Sequence, residues 1–151
     1  VQGAFARREV EKRYLALVRG IPEEAGRIDH PIPRVRKSPE RVPAVTDFRR
    51  LFIFRERYAL VEARPRTGRQ HQVRRHFKHI SCPLIGDANY GKSEHNRLFQ
   101  QEFMLSRLAL HAVGLGFHHP RRGEWLEIQA PLPDDLARPF ERMQIPPELW
   151  L

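Results

Sequence analysis

The sequence predicts an α+β fold, a mixed and mostly antiparallel sheet with helices packed on it. Runs rich in β-branched and aromatic residues follow one another across tight turns, which favours antiparallel pairing of sequence neighbours. Between and after them lie stretches with apolar residues at helical spacing, such as Val73, Phe77 and Ile80, whose stripe needs a sheet face to cover. With 151 residues the chain is read as one domain, residues 1–151, large enough for a substantial core.

The elements follow in order. Val1, Ala4, Phe5 and Arg8 read as the tail of a helix. Lys12 to Gly20 alternates apolar and polar residues and is closed by Gly20-Ile21-Pro22, the pattern of a strand and its turn. Residues 21–46 carry five prolines among Arg34, Arg36, Lys37 and Arg41. Proline removes backbone donors, so this basic connector is expected to be irregular apart from one short strand at Gly26 to His30. Val45 to Phe54 and Arg57 to Ala63 read as paired strands turning at Arg55-Glu56. A helix through Val73 and Phe77 comes next, then a short segment at Pro83 to Ile85. Ser93 is placed to cap a helix running to about Leu105, with Leu98, Phe99 and Phe103 inward. Leu108 to Phe117 and Trp125 to Ala130 form a hairpin with Pro120 to Gly123 at its tip, and a helix from Asp134 to Met143 stops before Pro146-Pro147.

Charge narrows the function. The formal net charge is +9, and Arg64 to His79 holds six Arg or Lys with no carboxylate between Glu62 and Asp87. On a helix anchored by Val73 and Phe77, Arg74 and Lys78 share a flank with His71 and Arg75 beside them, a surface suited to a polyanion. Cys82 is the single cysteine, which excludes an intrachain disulfide and suits a reducing, cytoplasmic compartment. No apolar run approaches the length of a membrane span. The spacing of His71, His76, His79 and Cys82 follows no standard zinc site. Clustered carboxylates and a G-x-S-x-G string, which a nuclease or hydrolase would need, are absent.

The wording of the basic run is more specific. Thr67-Gly68-Arg69-Gln70-His71-Gln72-Val73-Arg74 resembles the TGRxHQ(I/L/V)R motif of RluA-type pseudouridine synthases. Lys12 to Val18 is similar to that family's KxYxAxV strand, and Pro83 to Gly91 to its PIxGDxxYG segment. Arg107 to Ala112 and Ala130 to Pro133 also fit, in the expected order. Arg74-Arg75-His76, His79 and Glu94 to Phe99 are similar to the TruC branch, which acts on a tRNA uridine. The resemblance implies the pseudouridine synthase fold, with RNA, in particular tRNA, as partner and neither cofactor, metal nor obligate protein partner.

It also implies roles. Tyr14 matches the tyrosine that stacks on the flipped base and takes part in deprotonation at C5. Arg74 matches the basic residue that pairs with the nucleophilic aspartate, and Val73 the apolar residue at the pocket floor. Arg66, Arg69, Arg75 and Lys78 are expected to contact RNA phosphates, and Gly68 and Gly86 to let the backbone bend. The family's nucleophile lies in an HRLDxxTSG motif upstream of the tyrosine strand, and no such string occurs here. The chain is therefore expected to be the C-terminal portion of a catalytic domain, inactive by itself. A non-catalytic RNA-binding module, or a synthase of the same family acting on rRNA, stays open at this point.

Overall fold

The computed structural model describes residues 10–35 and 37–151. The helix tail expected at Val1 to Arg8 lies outside them. Within the described residues eight strands form, β1 (Val10–Arg19), β2 (Ala25–Asp29), β3 (Ile32–Pro33), β4 (Arg41–Val42), β5 (Val45–Phe54), β6 (Tyr58–Pro65), β7 (Leu110–His118) and β8 (Trp125–Gln129). Among the described residues three helices accompany them, α1 (Gln72–His79), α2 (Ser93–Phe103) and α3 (Asp134–Arg142), followed by a 3-10 turn at Pro147–Leu149. Six strands make one sheet in the order β2-β5-β6-β1-β7-β8, and every pairing in it is antiparallel. The α+β fold with a mostly antiparallel sheet expected from sequence is thus present, and among the described residues no parallel pairing interrupts it. No helix there is long and apolar enough to cross a membrane.

Central position explains why β6 reads Tyr-Ala-Leu-Val-Glu-Ala, buried throughout. Side-chain alternation divides its neighbours between two cores. Leu15, Leu17, Tyr58 and Leu60 face Phe99 and Phe103 of α2 and Leu136 and Phe140 of α3. Ala16, Val18, Ala59, Val61 and Ala63 face Val73 and Phe77 of α1. The β5–β6 turn runs through Arg55, Glu56 and Arg57 with Phe54 opposite Tyr58, one residue longer than the Arg55-Glu56 turn expected, and φ is left-handed at Arg55 (54°) and Glu56 (56°).

Two further local expectations are corrected. Ser93 is the first residue inside α2 and Lys92 occupies the cap position, without a capping side chain. The proline-rich connector is more ordered than its composition suggests, because β2 pairs with β5 and β3 with β4.

α1 is only two turns long and is held by buried polar groups as well as by its apolar stripe. The Gln72 amide nitrogen donates to the Val45 carbonyl at 2.8 Å and the Thr46 hydroxyl at 2.9 Å. Its oxygen accepts from Arg69 N–H and from the Thr67 hydroxyl. His76 Nε2 lies 2.9 Å from the His30 carbonyl, which can only accept, so Nε2 carries the proton. Nδ1 must then accept from the Thr46 hydroxyl at 2.7 Å.

Gly86 and Gly123 provide a stability test, since both are left-handed, with φ of 81° and 72°. A Cβ on Gly86 would collide with the Arg107 carbonyl, whereas one on Gly123 meets nothing within 4 Å. Gly123→Ala is expected to cost about 1 kcal/mol. Gly86→Ala should cost on the order of 3 kcal/mol or more, a melting-temperature drop of about 6–12 °C for a domain of this size. Equal melting temperatures for the two variants would contradict the packing at Gly86.

A second test uses pH. Burial lowers the pKa of His76, and burial followed by the nearby Arg19 guanidinium lowers that of His95. Below about pH 6.5 the unfolded chain takes up protons at these positions before the folded one does. Stability should therefore be level between pH 7 and 8 and decline as pH falls from about 6.5 toward 5, read as the denaturant midpoint. A midpoint that stays constant to pH 5 would show that neither histidine is held neutral.

Candidate active site

α1 and the loop before it form one wall of a cleft of about 390 Å³ on the sheet face that carries Ala16 and Ala63. Tyr14 of β1 and Val73 of α1 line it together with Leu108 and Leu110, giving an apolar interior. Lys12, Arg69 and Arg74 also line it and add positive charge. Tyr14 reaches the cleft because even-numbered residues of β1 face α1, and the same parity brings Lys12 beside it. A half-open slot with a half-buried phenol ring and apolar walls suits a flat heterocycle.

Arg74 reaches the cleft with one edge of its guanidinium already engaged. Its Nε donates to Asp87 Oδ2 and its Nη2 to Asp87 Oδ1, both at 2.9 Å. The Asp87 side chain is fully buried. Burial pushes its pKa up, but Arg74 and the N–H groups of Tyr90 and Asn89 outweigh that and hold it below the usual carboxylate range. With these four hydrogen bonds Asp87 is a structural anion. The turn that carries it is tied down by Asn96, whose Oδ1 accepts from Gly86 N–H and whose Nδ2 donates to the Asp87 carbonyl. Among the described residues the lining of the cleft contains no carboxylate.

The remaining residues singled out from sequence separate. Arg69 is at the cleft, with Nε donating to the Pro43 carbonyl at 2.9 Å. Arg66 is exposed and donates to Asp47, whose carboxyl is drawn down to about 2 chiefly by Arg27 and further by Arg66. Lys78 is exposed near the end of α1. Arg75 departs from the phosphate-contact expectation. It is buried, donating from Nε to the Tyr90 hydroxyl and from Nη1 to the Pro33 carbonyl, because one further step around α1 turns it toward the connector. Tyr14, Val73, Arg74 and Arg69 thus meet at one site, and Arg66, Arg75 and Lys78 lie outside it.

Lys12, His71, Leu108 and Leu110 also line the cleft without having been singled out for it. Strand parity with Tyr14 was the signal for Lys12. Leu108 and Leu110 arrive just before and at the start of β7, within the Arg107 to Ala112 string that resembles the family, where the resemblance had given them no pocket role. Burial lowers the Lys12 pKa, and its Nζ donates to the Thr67 carbonyl at 3.3 Å.

A family model described as RNA pseudouridylate synthase matches residues 1–79. The tRNA pseudouridine synthase C of Vibrio cholerae is 39% identical over 87% of this chain and 62% of its own length. The protein of the same name from Vibrio parahaemolyticus is 36% identical over 99% of this chain and 68% of its own. Among solved structures, human RNA pseudouridylate synthase domain containing 4 matches with a TM-score of 0.77 and 28% identity, over 95% of this chain and 66% of that one. The chain therefore spans about two thirds of the length of these relatives. On the family match and the identity to these relatives, the chain belongs to the RNA pseudouridylate synthase family.

Proposed function

We propose that this chain carries the uridine-binding cleft and the RNA-facing surface of a pseudouridine synthase acting on tRNA, in the cytoplasm and without an obligate protein partner. The observation that carries this reading is the convergence of Tyr14, Val73 and Arg74 on one base-sized apolar cleft. The names of the Vibrio relatives support tRNA as the substrate.

The reaction breaks the C1′–N1 glycosidic bond, turns the uracil and joins C1′ to C5, with the C5 proton lost to solvent. All atoms of the product come from the substrate, so the chemistry calls for no cofactor. The base must leave its stack, at a cost of a few kcal/mol, before it can be reached. Stacking on Tyr14 between Val73 and Leu110 repays part of that, and the Tyr14 hydroxyl is placed to take part in removing the C5 proton. Arg74 keeps Nη1 uncommitted among the described residues, an edge that can orient an incoming carboxylate while Asp87 fixes the opposite edge. Arg69, Arg66 and Lys78 offer phosphate contacts around the cleft, and Arg75 serves to hold Tyr90 and the connector.

The 151 residues alone should bind tRNA but release no tritium from 5-tritiated uridine, since among the described residues no carboxylate lines the cleft as a nucleophile. Binding should weaken steeply with salt, with log K falling by roughly 0.7–0.9 per log unit of salt for each phosphate contacted. Turnover by this chain would overturn the reading of the cleft, and salt-independent binding would overturn the RNA-facing surface.

In an enzyme that also carries the nucleophile, Arg74 and Lys78 should separate. Arg74→Ala removes the two-pronged partner of a buried carboxylate and should cost about 3–5 kcal/mol of stability. Arg74→Lys keeps the charge and is the variant to assay. Its single-turnover rate is expected to fall about a hundredfold or more with tRNA affinity little changed. Lys78→Ala should raise the dissociation constant and lower the salt slope by about one, with the saturated rate unchanged. Equal, small effects of both substitutions on the rate would remove Arg74 from the active site.

A further inference from the structure

We propose that Lys12 receives the phosphate of the nucleotide whose base stacks on Tyr14. The proposal rests on the base-in-cleft reading above and adds a second recognition point to it.

Lys12 and Tyr14 are two residues apart on β1 and share its cleft face, which separates their Cα atoms by about 6.6–6.8 Å along the strand. That span is comparable with the distance from a nucleotide's base to its own phosphate. A base stacked on Tyr14 would thus place an anionic group within reach of the Lys12 ammonium.

Of the cations that line the cleft among the described residues, Lys12 and Arg69 have no carboxylate partner, and Lys12 is the one that shares β1 with Tyr14. Arg74 is engaged by Asp87, and Arg69 turns Nε to the Pro43 carbonyl on the connector. Lys12 has no carboxylate within ion-pairing distance among the described residues and donates to a single acceptor, the Thr67 carbonyl. An ammonium has three donors, so two remain. Holding such a group half-buried without a counter-charge is unfavourable, which is why burial lowers its pKa. An arriving anion would relieve that.

Gly68 keeps the ammonium accessible. A Cβ at this position would stand 3.2 Å from Lys12 Nζ, and any longer side chain would cover it. The reacting carboxylate already has a place at the free edge of Arg74. Lys12 is therefore left for the substrate's own anion, a phosphodiester oxygen.

The test compares uridine with uridine 5′- and 3′-monophosphate, titrated into the protein and followed by NMR. The better-bound monophosphate should bind about tenfold more tightly than uridine, the worth of one charge-assisted hydrogen bond in a half-open site. Lys12→Met should abolish that preference while leaving uridine affinity within about twofold, and Lys12→Arg should retain most of it. The Lys12 side-chain resonance should titrate at higher pH with the monophosphate bound than with uridine bound, a change that a purely structural lysine would not show. A monophosphate preference that survives in a folded Lys12→Met protein overturns the proposal, as does an equal loss of both ligands. Failure of uridine itself to bind would overturn the base-in-cleft reading, and the proposal with it.

Discussion

The site depends on how a two-turn helix is fixed to a sheet. An isolated segment of eight residues has too few hydrogen bonds to remain helical, and α1 also turns Gln72 and His76 inward, where unsatisfied polar groups would each cost about 1–3 kcal/mol. The structure resolves this with one donor–acceptor arrangement. Val45 N–H donates to the Thr67 hydroxyl, which donates to Gln72. The Gln72 amide donates to Thr46, and Thr46 to His76. Each neutral bond adds little net stability, but only one position of α1 satisfies all of them. Val73 and Arg74 enter the cleft as a consequence of that register.

Electrostatics follows from the same architecture. The run of six cations between Arg64 and His79 contains no acid in sequence, yet in space Arg64 pairs with Glu62, Arg66 with Asp47 and Arg74 with Asp87. Arg75 is buried on a carbonyl and a phenol. Within this run the charge left without a carboxylate partner or burial among the described residues is therefore that of Arg69 and Lys78, to which Lys12 of β1 adds. Several of the arginines act first as structural cross-links between β5, α1 and the turn that carries Asp87.

This also marks how far the sequence could be read. The β5–β6 hairpin, the β7–β8 hairpin and the Val73–Phe77 stripe were legible because turn chemistry and side-chain periodicity are local. The meeting of Tyr14 with Val73 and Arg74 was legible through the motif resemblance, which orders residues that lie far apart in the chain. What sequence did not reveal depends on partners chosen by the fold. Asp87 reads as part of a glycine turn until Arg74 is placed over it, and Arg75 looks equivalent to Arg74 until the connector is seen to cover it. Ser93 has the composition of a cap, but the chain enters α2 one residue earlier.

The alanines beneath α1 have a further consequence. Ala16, Ala59 and Ala63 are all fully buried in the layer that meets Val73 and Phe77, so α1 rests on a floor of methyl groups. Depth of the cleft is thus a dimension written into the sheet and not into the residues that touch a ligand. An added methylene at any of these positions has no room to spread sideways in a close-packed layer, and the helix is the part able to rise. Divergence toward a deeper or shallower cleft can then proceed by edits to the strands, leaving the polar groups at its mouth unaltered.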